Sequence, residues 1–239
     1  MGKRVVWFWP LGLCLGCAVF PTSPTAPPGS PAPATTLTEI QLAAQCLEKG
    51  DEAGALPHLN AYVEAHPGHA AIRVHLAEVL MKLDRKAEAK KQFEQYVCDA
   101  QQQGGEAGKH FIHVHTRLVE LARGDGDEYG EHLHRGIGLY LLARERAGLP
   151  DPEEGELSVE SVLCKAAGEL TMARLARRDE ARPSWYLYAV WSRLDQRQPA
   201  LRHLREADAT APFSYLTPSE KRDLELARLG RDAEGRGAR

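Results

Sequence analysis

Two stretches of this chain repeat each other at a spacing of 34 residues, Leu42 corresponding to Leu76 and Ala55 to Ala89. From Leu37 onward apolar residues recur at helical intervals, in short runs broken by Gly, Asp, Pro or Asn every dozen residues or so. Helices of that length cannot bury a face alone. A fixed period of this size therefore predicts helices that pair and stack into a solenoid, each unit covering the next. Composition agrees: Ala, Leu, Glu and Arg are abundant, and β-branched and aromatic clusters are scarce after residue 36, so an all-α chain with almost no sheet is expected.

In the first unit Leu42, Ala43 and Cys46 mark one helix, Gly50-Asp51 a turn, and Ala55, Leu59 and Tyr62 a second helix that closes at Pro67. The second unit begins at about Ala70 with Leu76, Ala77 and Leu80, turns near Asp84-Arg85 and continues through Ala89, Phe93 and Tyr96. A third lies near the C-terminus, with Trp185, Leu187, Tyr188 and Trp191, the turn Asp195-Gln196, then Ala200, Leu204 and Ala207 before Pro212. The large–small pair Leu76-Ala77 and the small residue Ala89 at the entry of the second helix let two antiparallel backbones approach closely.

These units resemble tetratricopeptide repeats. The resemblance implies a right-handed superhelical solenoid of antiparallel helix pairs, in which the first helix of each pair lines a concave groove that takes peptides or partner helices. On that basis the expected partner-binding groove comprises Val74, His75, Glu78, Lys82, His115, Arg182, Trp185, Tyr186 and Arg193. Trp185 and Tyr186 are the expected anchors, because aromatic residues and Arg dominate interface energetics. The Lys/Asn carboxylate clamp of some chaperone-binding members is not matched, so an acidic C-terminal tail is not the ligand the resemblance implies.

Between the good units, His110 to Ala122 and Tyr129 to Arg146 read as a degenerate helix pair, with small-residue positions poorly met and the second helix interrupted at Gly136 and Gly138. A further helix, Val159 to Arg177, carries Val162, Leu163, Ala166, Leu170 and Leu175 at core spacing and fits no repeat slot. Pro218 to Leu229, N-capped by Thr217, is the expected terminal helix, followed by a frayed tail. The expected organisation is a signal segment at 1–17, a Pro/Thr/Ser-rich linker at 18–36, two repeat units at 37–103, the degenerate pair at 104–147, a loop and extra helix at 148–180, a third unit at 181–212, and a capping helix with disordered tail at 213–239.

Gly2, Lys3 and Arg4 make a positive start, and Val5 to Phe20 an uncharged apolar run the length of a signal-peptide core, short for a spanning helix and broken by Pro10. Its end, Leu13-Cys14-Leu15-Gly16-Cys17-Ala18, resembles a bacterial lipoprotein signal in which Cys17 is lipidated. Gly16 fits that pattern, whereas Cys14 stands where leucine is usual and Leu15 where a small residue is usual. An ordinary cleaved signal, a retained anchor or a start placed elsewhere are the alternatives. Residues 21–36 carry a proline every few positions and read as a semi-rigid spacer behind the signal. Together these features resemble a bacterial tetratricopeptide lipoprotein, membrane-anchored at the cell envelope and facing the periplasm or exterior.

Against 33 Asp+Glu the chain has 30 Lys+Arg, a net charge of −3 that argues against a nucleic-acid partner. Cys46, Cys98 and Cys164 are scattered and make no disulfide framework; each is expected as a small buried hydrophobe. His110, His113, His115, His132 and His134 form the feature most like a site. Residues two apart on a helix point in nearly opposite directions, so neither His113 with His115 nor His132 with His134 shares a face, and no metal ligand set is expected. Gly124 to Asp127 resembles part of a calcium loop but lacks the twelfth-position glutamate and reads as a turn. The acidic residues Asp151, Glu153, Glu154 and Glu156 read as a solvated loop. No phosphate-cradling glycine motif or nucleophile elbow is present. The expectation is a scaffold without enzymatic activity or cofactor, binding a protein or peptide at a membrane. The alternatives are a subunit of an envelope assembly machine of the outer-membrane-protein or pilus type, and a histidine-dependent periplasmic metal binder.

Overall fold

Four helix hairpins in this chain turn in the same way. The computed structural model describes residues 38–103, 110–147 and 157–237, with side chains through Gly230. The signal segment with Cys17, the linker to residue 36 and the acidic loop at 151–156 lie outside the described residues. The helices are α1 (Glu39–Glu48), α2 (Glu52–Ala65), α3 (Ala70–Lys82), α4 (Lys86–Gln103), α5 (Phe111–Asp125), α6 (Glu128–Arg146), α7 (Val159–Ala176), α8 (Ala181–Arg193), α9 (Arg197–Thr210) and α10 (Pro218–Gly237), and a 3₁₀ turn lies at Ala211–Phe213. Among the described residues there is no strand. The architecture is the all-α solenoid of antiparallel helix pairs that the periodicity demanded.

Each hairpin reverses through one residue in the left-handed region: Gly50 (φ 72°), Asp84 (φ 57°), Gly126 (φ 68°) and Asp195 (φ 55°). The next amide reaches back five residues in every case, Asp51 to Cys46, Arg85 to Leu80, Asp127 to Ala122 and Gln196 to Trp191, at 2.8–2.9 Å. This satisfies carbonyls that the end of a helix otherwise leaves open, and it starts the next helix at once. Aspartate tolerates that backbone because its short polar side chain bonds locally. The α5–α6 pair thus has the hairpin geometry of the other three, and the glycine–aspartate run of Gly124 to Asp127 is this turn.

Two further expectations for the middle are corrected. Helix α6 is continuous through Gly136 and Gly138. Gly136 does not break it but thins it: a Cβ there would lie 2.6 Å from Leu170 Cγ and 3.2 Å from the Leu170 backbone nitrogen, so the absent side chain is what lets α7 pack on α6. On α7, the buried stripe is Val162, Leu163, Ala166, Ala167, Leu170 and Ala173, while Leu175 is 49% exposed because the stripe has rotated past it. Cys164 is likewise exposed on the outer face, and Cys46 and Cys98 are only half-buried.

The core runs in three stretches. One joins α1 to α5 around Phe93, Tyr96, Leu59 and Leu76. A second joins α6, α7 and α8 around Ile137, Leu170 and Leu187. The third joins α8, α9 and the start of α10 around Leu204, Leu216 and Leu224. Helix α10 packs on α9 and also on α4, so the chain's end reaches back to its second hairpin. Among the described residues no helix is long and apolar enough to cross a membrane.

The glycines of the α6–α7 contact separate packing from propensity. Gly136→Val should lower stability by about 2–3 kcal/mol through overpacking against Leu170. Gly168→Ala on α7, where a Cβ meets nothing within 4 Å, should raise it by up to about 1 kcal/mol. Urea unfolding followed by circular dichroism checks both signs.

Candidate functional site

A guanidinium buried inside a helical solenoid requires a partner, and Arg182 has one. It stands in the first turn of α8, 9% exposed, and its Nε donates to both carboxylate oxygens of Glu220 at 2.9 Å. Arg182 Nη2 lies 2.9 Å from Glu220 Oε1, and the Tyr186 hydroxyl, one helical turn on, donates to the same oxygen at 2.9 Å. Glu220 is 3% exposed. It also accepts the Thr217 backbone amide at 2.9 Å while the Thr217 hydroxyl accepts the Glu220 amide at 3.2 Å, a reciprocal cap of α10. Burial opposes the Arg182 charge, yet the Glu220 carboxylate beside it holds the guanidinium above its ordinary range. Burial, reinforced by Glu220, pushes the Tyr186 phenol well up, so it stays a donor. Removing one partner of such a pair typically costs about 3–5 kcal/mol, because the other is left charged and buried.

The segment before α10 extends this contact to the far side. The Thr217 hydroxyl donates to Gln101 Oε1 on α4 at 2.5 Å, and Tyr215 Oη lies 3.1 Å from Cys98 Sγ. Two cavities border this segment and the start of α10. One of about 540 Å³ is walled by Phe111, Tyr140, Trp185, Tyr186 and Arg144, with Glu220 at its edge. The other, about 390 Å³, is lined by Lys91, Cys98, His134, Arg182 and Tyr215.

Between them stands a histidine pair. His115 on α5 and His134 on α6 face each other with their Nδ1 atoms 3.1 Å apart, 1% and 8% exposed. One Nδ1 must carry a proton and the other a lone pair, so at least one ring is neutral. Burial drives the His115 pKa down to about 3, with the Arg182 charge adding to it, and burial then His115 drive His134 well below 6.5. His115 Nε2 is buried with no hydrogen-bond partner. The other histidines of the cluster go elsewhere: His113 Nε2 lies 2.8 Å from Glu78, His132 Nδ1 lies 2.7 Å from Glu169 on α7, and the His110 amide donates to the Tyr96 hydroxyl. The five do not converge on one point. Among the described residues no group of three metal-ligating side chains comes together.

The expected groove residues fall into two places. On α3, Val74 is buried in the core, and His75 is half-buried with its pKa lowered chiefly by burial. Lys82 is exposed and reaches Glu52 at 2.8 Å. Burial alone would raise the Glu78 pKa, but hydrogen bonds from His113 and Arg117 outweigh it and hold the carboxyl low. His115, Arg182, Trp185 and Tyr186 line the two cavities, whereas Arg193 lines neither and instead donates from Nε to the Tyr140 hydroxyl at 3.3 Å. Arg193 lies over the Tyr140 ring at 5.4 Å, and Trp185 packs tilted on Tyr188 at 5.4 Å. Sequence reasoning missed Glu220, Tyr140 and the His115–His134 pairing. Only Glu220 left a local signal, because Thr217 followed three residues later by Glu is a capping box.

Residues 47–107, covering α2 to α4 and the turns between them, match the tetratricopeptide repeat family model. Over those residues the chain is similar to a tetratricopeptide repeat. No curated protein sequence matches it. Among solved structures, a MamA crystal structure is similar at 11% identity and TM-score 0.36, covering 72% of this chain and 89% of that one. MamA from Desulfovibrio magneticus RS-1 gives 14% identity and TM-score 0.30, covering 73% and 93%. YrrB, whose structure is described as a tetratricopeptide protein with an unusual peptide-binding site, gives 18% identity and TM-score 0.31, covering 73% and 86%.

The histidine pair should make the fold acid-sensitive. Both rings have folded pKa values below the unfolded 6.5, so their contribution to stability is complete above that pH and declines as pH falls from 6.5 toward 3. Urea midpoints should begin to fall below pH 6.5, ahead of carboxylate titration near 4.5. The slope between pH 6.5 and 5 should be shallower in the His115→Leu/His134→Leu double variant.

Proposed function

We propose that this chain is a non-catalytic protein–protein interaction scaffold, tethered at the cell envelope by a lipid on Cys17 and presenting its repeats across the proline-rich spacer. The observation that carries the scaffold reading is the cradle of Arg182 and Tyr186 between two cavities, with aromatic walls at Tyr140 and Trp185, on a tetratricopeptide framework. Aromatic and Arg groups around a concave site are the chemistry of a peptide or helix anchor. The titratable groups there support binding over catalysis. His115, with a pKa of about 3, is a poor general base near neutral pH, and Glu220 is engaged by Arg182, Tyr186 and the Thr217 amide. The tether reading rests on the apolar run ending at Gly16-Cys17 and the spacer behind it.

Affinity purification of the full chain from solubilised membranes should recover a stoichiometric partner, and a Trp185→Ala/Arg193→Ala variant should recover at least about tenfold less, as expected when interface anchors are removed. Equal recovery by both would sink the groove as the binding face. A partner belonging to an outer-membrane-protein or pilus assembly apparatus would specify the scaffold as a subunit of that machine. Metabolic palmitate labelling should mark the wild type and vanish in Cys17→Ser; an unlabelled wild type would remove the lipid tether and leave the scaffold reading standing.

A further inference from the structure

We infer that the first turn of α10 is a resident ligand of a carboxylate-recognition cradle, and that the partner displaces it with a helix N-terminus of the same chemistry, a Ser or Thr N-cap followed three residues later by Glu. This rests on the interaction-scaffold reading and names the chemistry of its partner. The cradle is built for a carboxylate: Arg182 offers Nε and Nη2, and Tyr186 offers its hydroxyl, all at 2.9 Å from Glu220 oxygens. What the cradle holds is more than one carboxylate, because Glu220 simultaneously caps the helix that carries it and Thr217 reaches Gln101. The recognised unit is therefore a capped helix start read from α8 on one side and α4 on the other.

Apart from that contact, α10 is fastened by a small apolar patch that includes Ala227 and by a half-exposed ion pair of Arg228 with Asp208 at 3.9 Å. Leu216 just before it and Leu224 on it are buried at 2% and 4% exposure, whereas Leu226 and Leu229 are 60% and 52% exposed. An element with so few buried apolar groups opens at low free energy compared with the core hairpins. Its hold is concentrated in a polar contact that an equivalent carboxylate can replace. The cavities of about 540 and 390 Å³ beside the segment leave room for a ligand bulkier than α10, with Tyr140, Trp185 and Tyr186 available to it. A buried ion pair is a poor source of net stability, which fits a contact that an equivalent carboxylate can take over.

The test uses the full chain and a fluorescent synthetic peptide of the sequence of residues 214–229, with a second peptide carrying Gln at the position of Glu220. The Glu220→Gln chain should bind the Glu peptide at least about tenfold more tightly than the wild type does, since its own α10 competes less. The Gln peptide should bind at least about tenfold more weakly to that chain, and Arg182→Met should abolish the preference. In the wild type, saturating Glu peptide should raise hydrogen exchange of α10 amides while α8 and α9 stay protected, which decides the matter even if Glu220→Gln fails to fold. Binding without preference for Glu over Gln, or no binding together with unchanged α10 exchange, would overturn the inference. A partner captured by affinity purification alongside that negative result would leave the scaffold standing without the displaceable helix. Peptide exchange without any captured partner would strike the scaffold reading instead.

Discussion

Everything around the cavities follows from one electrostatic requirement. A guanidinium taken out of water among apolar helices is tolerable only if an anion is delivered to it with good geometry, and no neighbouring residue on α8 or α9 delivers one. The anion is Glu220, from a helix that begins 36 residues after Arg182 in the chain. Bringing it there obliges the Tyr215–Thr217 segment to cross beside α4, which sets Thr217 on Gln101 and Tyr215 near Cys98. The segment that neutralises this buried charge is thus the one that joins the second hairpin to the fourth.

The solenoid tolerates this because its hairpins are stiff and alike. One left-handed residue and one backward amide bond close each of the four turns, so each pair reverses in the same way although its helices run from 10 to 19 residues. The spacing between successive turns also varies. From Asp51 to Arg85 the turn recurs after 34 residues, to Asp127 after a further 42 and to Gln196 after a further 69, the last interval accommodating α7. Helix α6 consequently packs against both α5 and α7, and Gly136 is the position that makes the contact with α7 possible. The buried histidines sit in the same region, where α5 and α6 pack and a polar pair replaces the usual apolar one.

Much of this was legible in the amino-acid order. Periodic Leu, Ala and aromatic positions place the first, second and last hairpins, and the turns at Gly50, Asp84 and Asp195 fall where the breakers stand. Gly136 was read as a break because glycine weakens an isolated helix; in the fold, its missing side chain is required by Leu170, which lies 34 residues away in sequence. The histidine cluster was read by its position on two helices, and the faces came out as that geometry demands, with His113 outward on Glu78 and His115 inward. Which histidine meets which is a matter of how α5 and α6 are rotated against each other, and no local pattern encodes that rotation.

The sequence by itself determined an all-α chain of paired helices, because hydrophobic period, small residues at hairpin entries and turn residues are local properties that act over a few turns of chain. Only the tertiary structure decided that the expected groove residues divide, with Val74, His75, Glu78 and Lys82 on α3, His115, Arg182, Trp185 and Tyr186 lining the cavities, and Arg193 over the Tyr140 ring. Only it decided that Glu220 occupies the cradle. Those outcomes depend on charges and ring faces brought together from distant segments, where desolvation and pairing are settled by the packed neighbours and not by adjacent residues.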